Sequence, residues 1–381
     1  MKKVMIFGST GSVGKSALDV LRAQRKQFKV HGLCAYRDIK TLSSQIEEFL
    51  PKYVCVVDEG QAQRLKERIN TKVKILKGSP GLEEFSHLES DVSLMAISGI
   101  SCLKPLFTNI QYTKRVALAN KESIVAAGDF LFSHAKRHTT EIIPVDSEIN
   151  ALFQLFKMKD DHLHKVYLTA SGGALSNCRK KSLKNIQAKD VLAHPTWRMG
   201  RRITVDSATL VNKGFEVVET HHFFDVPYEN IDIILHRQSM IHALVEFKDK
   251  TLFACLYPPD MRIPISFALR YPLRVPHFQG IDFTKEFFLS FKPLNHAQYP
   301  LFQIVGEAAK RKDNALAILN ACDEVAVDYF LKGKIKFTDL YRAMGYMFEH
   351  YPSKKIKSIE DVFYWDNWAR EKIQQYLKTL C

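Results

Sequence analysis

Short apolar runs alternate with helical-period stretches over roughly the first 140 residues of the chain. Val4–Phe7, Val30–Tyr36, Tyr53–Val57, Lys72–Leu76, Val92–Ile97 and Arg115–Ala119 read as strands. Between them, Ser12–Gln24 sets Val13, Ala17, Leu18, Val20 and Leu21 on one stripe, and Thr41–Leu50 and Leu103–Asn109 read as further helices. Strand, helix and strand in this succession predict a parallel sheet covered by helices. From Glu141 to Val275 the pattern changes. Strand-like Lys165–Thr169, Ile231–Leu235 and Ala243–Phe247 are mixed with helices and a long polar stretch at 172–205. A proline-rich passage at 271–276 then leads through irregular chain to Pro300. The remainder reads as helices at Leu301–Arg311, Ala315–Leu331, Thr338–His350 and Ile359–Leu380. The expected class is α/β, with a parallel-sheet domain at 1–140, a mixed α+β domain at 141–276, a linker at 277–300 and a helical bundle at 301–381.

Composition narrows the class of protein. The chain has 381 residues, 46% hydrophobic and 25% charged, which are globular averages and argue against disorder. No apolar run approaches the roughly 18–20 residues that cross a bilayer. Two lysines precede Val4–Phe7, but glycines interrupt that run too early for a signal peptide. A cytoplasmic protein is expected, with no membrane partner. With no plastid-type extension before the first strand, a bacterial cytoplasm is favoured over a plastid precursor. Seven cysteines (34, 55, 102, 178, 255, 322 and 381) lie far apart without a CxxC pair. That spacing argues against a disulfide framework or zinc knuckle and for a reducing compartment. The net charge of +14, from 55 basic and 41 acidic residues, fits nucleic-acid binding, capture of small phosphorylated anions, or a solvated basic surface. The basic residues are scattered and no RNP-like or helix-turn-helix string stands out, so no nucleic-acid partner is expected.

Four motifs carry candidate chemistry. Gly8-Ser-Thr-Gly11-Ser-Val-Gly14 lies between the first strand and first helix, where glycines permit a tight turn and free helix N–H groups can hold a pyrophosphate. Its GxxGxxG spacing is weak alone; the strand-turn-helix setting points to a dinucleotide and a Rossmann-like sheet. At the end of the second strand, near the adenosine ribose, stand Tyr36-Arg37-Asp38. Arg37 suits a 2′-phosphate and Asp38 either repels it or accepts from a hydroxyl, with the balance toward NADPH. In Pro144-Val-Asp146-Ser-Glu148, an extended backbone turns both carboxylates to one point, and oxygen ligands suit Mg²⁺ or Mn²⁺ over zinc. DxE also occurs on plain acidic turns. Ser207, Asn212 and Lys213 are phosphate-type donors, with Glu216 as a third carboxylate; the same residues also describe a capped helix start. Ala170-Ser-Gly-Gly173, ahead of His194-Pro-Thr-Trp197-Arg-Met-Gly200, has the make-up of a lid. A loop Trp is equally a packing anchor.

The order of GSTGSVG, Leu118-Ala-Asn-Lys-Glu-Ser123, PVDSE, SGG, HPTWRMG, VDSAT and NKGFE resembles the 1-deoxy-D-xylulose 5-phosphate reductoisomerase family. The likeness extends to Gln238-Ser-Met-Ile-His242, Pro259-Asp-Met-Arg262 and Asn320-Ala-Cys-Asp-Glu324, nearly the whole chain. It implies an NADPH domain, a catalytic, metal-binding and dimerisation domain with a lid near 194–202, a helical domain, and a homodimer. It implies Asp146, Glu148 and Glu216 as ligands of Mn²⁺ or Mg²⁺, or of Co²⁺. Lys121, Ser147, Glu148, Ser171, His194, Trp197, Ser207, Asn212, Lys213 and Glu216 fall at substrate positions, with Lys121, Glu148 and His194 as the catalytic set. Thr10, Gly11, Ser12, Val13, Tyr36, Arg37, Asp38, Asn120, Glu122 and Gly200 fall at cofactor positions. The implied reaction rearranges 1-deoxy-D-xylulose 5-phosphate, a phosphorylated sugar, and reduces it to 2-C-methyl-D-erythritol 4-phosphate for isoprenoid synthesis.

Some positions depart from the family pattern. Ile149 stands where many members have histidine, Ala174 replaces a proline, and Thr196 and Arg198 change the lid around Trp197. Tyr36 replaces a usual glycine and Asp38 a usual asparagine. None of these removes a metal or phosphate ligand. A competing reading is an NADPH-dependent semialdehyde-type dehydrogenase, which shares the glycine-rich start but requires a cysteine nucleophile and no metal. A basic nucleic-acid-binding protein and a catalytically inactive scaffold are the readings from other classes.

Overall fold

The computed structural model describes residues 1–158, 162–175, 183, 185–193, 196–197, 200–274 and 278–380. The chain divides into two compact units, one made of 1–120, 131–150 and 260–279, the other of 121–130, 151–259 and 280–381.

The first unit is built on a seven-stranded sheet. Its strands are β1 (Lys2–Phe7), β2 (Phe28–Ala35), β3 (Tyr53–Val56), β4 (Lys74–Lys77), β5 (Val92–Met95), β6 (Arg115–Leu118) and β7 (Glu141–Pro144). Every pairing is parallel, in the order β4-β3-β2-β1-β5-β6-β7. The central strands are apolar without alternation because both faces are covered: Val4, Met5, Ile6 and Phe7 are all fully buried. The crossovers are α1 (Ser12–Arg22), α2 (Ile39–Phe49), α3 (Glu59–Arg68), α4 (Gly78–Ser86) and α5 (Leu103–Asn109). α3 and α4 were not foreseen, since α3 is strongly polar and α4 opens on a glycine- and proline-containing turn. α6 (Lys121–Arg137) leads to β7, with a backbone break at Ala127 (φ −146°, ψ 23°). Beyond β7, α7 (Ser147–Leu155) begins.

The second unit holds a five-stranded sheet ordered β11-β10-β8-β9-β12. Its strands are β8 (Leu163–Ala170), β9 (Ile231–Leu235), β10 (Ile241–Phe247), β11 (Leu252–Leu256) and β12 (Lys292–Pro293). β8 and β9 are parallel and the other pairs antiparallel. Between β8 and β9 the chain forms α8 (Ala188–Leu192), α9 (Arg201–Thr209) and α10 (Val211–Phe224). α11 (Arg262–Arg270) returns to the first unit, where it packs on α1, β6 and β7. The bundle is α12 (Pro300–Arg311), α13 (Ala315–Leu331), α14 (Phe337–His350) and α15 (Ile359–Lys378), close to the predicted spans. Val205 and Phe215 share one buried core with Val305, Cys322, Phe337, Met344 and Ile373. At the α10–α12 crossing a side chain on Gly214 would meet Val305 at 2.9 Å, so the two helices approach as closely as a glycine allows. Among the described residues no helix is long and apolar enough to cross a membrane.

Candidate active site

The glycine-rich turn follows β1 and opens α1. Gly8 has φ +89°, and a Cβ there would meet the Ala96 carbonyl oxygen at 2.4 Å. A Cβ on Gly14 would meet the Gly8 oxygen at 2.3 Å. Both positions therefore exclude a side chain, and α1 starts from Gly11 with no side chain capping it. A bare helix N-terminus above a tight glycine turn fits a pyrophosphate, so Thr10, Gly11, Ser12 and Val13 stand where a dinucleotide would lie. At the end of β2, Tyr36 and Arg37 are exposed. Asp38 has a structural job that sequence reasoning missed: it caps α2, its carboxylate accepting the Thr41 N–H at 3.1 Å. Burial works to raise that carboxyl, but hydrogen bonds from Thr41 and the nearby Lys15 and Lys40 hold it below its ordinary value. Asn120, two residues beyond β6, donates through its amide to the Ile97 and Gly99 carbonyls, both at 3.0 Å.

The PVDSE segment is not extended, the condition under which strand alternation would turn both carboxylates to one side. Pro144 ends β7 and Ser147 opens α7. Asp146 is the helix cap: its carbonyl accepts the Asn150 N–H at 2.8 Å and its carboxylate the Glu148 N–H at 3.3 Å. Ser147 donates its hydroxyl to Glu148. A carboxylate at the cap and one in the first turn complement the positive end of the helix dipole, which lowers the cost of gathering them. Ile149 is fully buried, so its side chain belongs to the core.

The second unit contributes a buried polar group at the start of α6 and α10. Lys121 Nζ lies 2.6 Å from Asn212 Oδ1 and 3.3 Å from Glu216 Oε1. Asn212 and Lys213 also donate to Glu216. Lys121, Lys213 and Glu216 are all buried, at 6%, 3% and 1% exposure, so each charge is held by its neighbours rather than by water. Glu219, one turn on, lies 4.0 Å from Lys121 and has no place in the sequence reading; its i+3 spacing from Glu216 is the signal that could have found it. Leu210, buried at φ +60°, joins α9 to α10 in a left-handed conformation that costs about 1–2 kcal/mol. That one residue brings Ser207, near the end of α9, and Asn212 and Lys213, at the start of α10, into a single bend.

The SGG turn lies against the same bend. Gly173, at φ +63°, sits so close to α9 that a Cβ would meet the Ala208 Cα at 2.8 Å and the Ser207 oxygen at 2.9 Å. Ser171 accepts the Gly173 N–H at 3.2 Å. Ser171, Ser207, Asn212 and Lys213 therefore gather hydroxyl, amide and ammonium donors of the kind an anion requires. Trp197 lies with its ring centroid 6.1 Å from that of His242, and Thr196 donates to the Arg237 carbonyl at 3.3 Å. His194 lies outside the described residues. Gly200 precedes α9, and its carbonyl accepts the Thr204 hydroxyl at 2.8 Å. Glu122 accepts from Arg202 at 3.1 Å.

Asp146, Glu148 and Glu216, the metal ligands expected from the sequence, each offer only carboxylate oxygen, a donor type that suits a hard divalent ion. No comparable support exists for a thiol nucleophile at two of the buried cysteines. Cys34 is pushed well up by its Cys55 partner and by burial, and Cys322 by burial, the reverse of an activated thiol.

Comparison with known proteins covers almost the whole chain. Residues 4–128 match the family 1-deoxy-D-xylulose 5-phosphate reductoisomerase, 142–224 its C-terminal domain, and 256–372 the DXP reductoisomerase C-terminal domain. A 1-deoxy-D-xylulose 5-phosphate reductoisomerase of Thermodesulfovibrio yellowstonii is 42% identical over 374 residues, 97% of this chain and 98% of the relative. One from Caldanaerobacter subterraneus is 39% identical over 384 residues, 99% of this chain and 100% of the relative. Among solved structures, the Zymomonas mobilis enzyme in complex with NADPH matches at a TM-score of 0.92 and 34% identity, over 100% of both chains. A DOX-P reductoisomerase in complex with NADPH, fosmidomycin and magnesium matches at 0.91 and 30%, over 100% of this chain and 99% of that one.

Proposed function

The chain belongs to the 1-deoxy-D-xylulose 5-phosphate reductoisomerase family, and from that premise we propose how its residues carry out the family's reaction. The protein is an NADPH- and divalent-metal-dependent enzyme that converts 1-deoxy-D-xylulose 5-phosphate into 2-C-methyl-D-erythritol 4-phosphate. The observation that carries the assignment of roles is the buried group of Lys121, Asn212, Lys213 and Glu216, which joins cationic donors to a carboxylate in one place.

Thr10, Gly11, Ser12 and Val13 receive the cofactor's pyrophosphate, with Tyr36, Arg37 and Asp38 at the adenosine end and Asn120, Glu122 and Gly200 toward the nicotinamide. Asp146, Glu148 and Glu216 hold the divalent ion, magnesium or manganese. When bound, the ion polarises the substrate's carbonyl and NADPH supplies the hydride. Ser171, Ser207, Asn212 and Lys213 bind the substrate phosphate, which anchors the sugar while its carbon skeleton rearranges. Lys121, Ser147 and His194 act on the reacting end of the sugar, and Trp197 covers it and excludes water. We assign 1–140 to the cofactor, 141–276 to catalysis, metal binding and dimerisation, 277–300 to a linker and 301–381 to helical support, although 260–279 belongs to the compact unit of the cofactor sheet.

We infer a cytoplasmic homodimer. Leu252, Phe253 and Leu256 on the edge strand β11 are 55%, 43% and 38% exposed, an apolar edge that a second copy would cover. The match to reductoisomerases along nearly the whole chain disfavours the semialdehyde-type alternative.

The test is turnover. Purified protein with 1-deoxy-D-xylulose 5-phosphate, NADPH and Mn²⁺ is expected to consume NADPH, EDTA to stop it, and Mg²⁺ or Mn²⁺ to restore it. Substrate-independent oxidation, or turnover indifferent to EDTA, overturns the reading.

A further inference from the structure

A second, partly buried polar group lies in the same unit as Lys121 and Glu216, and its central arginine has no part in the reaction described above. At its centre is Arg202, two residues beyond Gly200 in the first turn of α9. One terminal nitrogen reaches Glu122 at 3.1 Å and Glu324 at 2.7 Å; the other reaches Asp323 at 3.0 Å and Asn320 Oδ1 at 3.4 Å. Its Nε lies 3.6 Å from Asp206 on the next turn of α9. Arg370 of α15 pairs with Glu324 and, at 2.6 Å, with Asp366. One guanidinium thus joins the start of α6, the start of α9 and the middle of α13, a task for which its planar fork is suited and a lysine is not.

The placement of these partners gives the group a consequence for the reaction. Glu122 follows Lys121 directly in the chain, and Lys121 touches Asn212 and Glu216. α9 carries Gly200 before it and Ser207 toward its end. Without Arg202, the carboxylates Glu122, Asp206, Asp323 and Glu324 would face one another with Arg370 alone among these arginines, and buried like charges separate. The first turn of α6 would then be free to shift.

We propose that Arg202 is a positioning residue of the reaction: by holding Glu122 against α9 and α13, it sets the first turn of α6, and with it the Lys121 ammonium and the cofactor-facing Glu122. This rests on the assignment of Glu122 to the cofactor in the proposed function. Arg202 itself touches neither substrate nor cofactor in this scheme.

The test uses the full-length protein with Arg202→Lys, which keeps the charge and loses the fork. Arg370→Lys is the control, sharing Glu324 but lying on α15. NADPH affinity is measured directly by calorimetry, and KM and kcat by NADPH oxidation with saturating Mn²⁺. Arg202→Lys is expected to weaken NADPH binding and lower kcat, each by about tenfold to a hundredfold, with the melting temperature close to wild type and Arg370→Lys kinetics unchanged. Equal losses in both variants, or wild-type NADPH affinity and kcat in Arg202→Lys, overturn the proposal. If Arg202→Lys folds poorly, Arg202→Met with Asp323→Asn removes one charge of each sign and is read in the same way. Wild-type protein that binds NADPH but does not turn over the sugar phosphate counts against the proposed function, while the calorimetric arm still decides the role of Arg202.

Discussion

Lys121 Nζ and Glu216 Oε1 lie 3.3 Å apart, although the residues are 95 positions apart in the chain, and both side chains are buried. Lys121 opens α6 and Glu216 lies in the second turn of α10, so the pair fixes one helix start to another. Replacing Lys121 by Met keeps the stem and removes the ammonium. Asn212 and Glu216 then lose one donor, though Lys213 remains against Glu216. The expected cost is about 1–3 kcal/mol in stability, read from the urea midpoint at constant slope. Turnover is expected to fall much further than stability, since the variant stays folded. A variant of normal kcat would remove Lys121 from the reacting end of the sugar.

Glu216→Gln separates metal binding from the rest of the site. The amide keeps the shape but is a poor ligand for a hard cation, and Lys121 and Lys213 lose the Glu216 charge while Glu219 stays 4.0 Å from Lys121. Lewis-acid polarisation is worth several kcal/mol, so kcat is expected to fall at least about a hundredfold. Mn²⁺ affinity, followed by calorimetry, is expected to drop with it while NADPH affinity is retained. Unchanged Mn²⁺ binding would place the ion on other residues.

Gly14→Ala tests the cofactor turn. Its Cβ would lie 2.3 Å from the Gly8 oxygen, and backbone rather than a flexible side chain must move. A stability loss of about 1–3 kcal/mol is expected. NADPH affinity is expected to fall by about tenfold or more because the turn that meets the pyrophosphate is displaced. Mn²⁺ binding serves as the internal control and is expected to be unaffected.

Asp323 gives a pH signature. Burial, set against the attraction of Arg202, pushes its carboxyl up to about 6 from an ordinary 3.8. Between these values the folded state holds a proton that the unfolded state has released. Stability from this group is therefore present at low pH and is lost as pH rises through about 6. Asp323→Asn removes that contribution. The urea midpoint of wild type minus that of Asp323→Asn is expected to decline between about pH 4 and 6 and to level off above. A difference that is flat with pH would show that Asp323 is ionised throughout.

Much of the first unit was legible because its signals are local. Val4–Phe7 is apolar on both sides and can only be a covered strand, and Gly8, Gly11 and Gly14 mark the turn that follows. Leu103–Asn109, Ile231–Leu235 and Ala315–Leu331 fall where periodicity set them. The polar α3 and the short α4 escaped because neither carries enough of an apolar stripe to stand out. In the site, Lys121, Asn212, Lys213 and Glu216 were named from motif order, yet their mutual distances were not available from it. Arg202 was not singled out, and Asp323 and Glu324 stood only within the Asn320–Glu324 motif without a role, as charged residues on helices usually face water.

By itself, the sequence determined the order of elements, the glycine cradle, the inventory of carboxylates and donors, and the family. These depend on neighbours within a few residues, or on motifs whose order is written along the chain. Only the tertiary structure decided that PVDSE is a strand end and a helix cap, that Asp38 caps α2, that 260–279 returns to the first unit, and that Arg202 joins three helices. The physical reason is burial. A side chain's charge partners, and so its role, are set by which groups share its low-dielectric surroundings, and residues 122, 202 and 323 meet only when the helices pack.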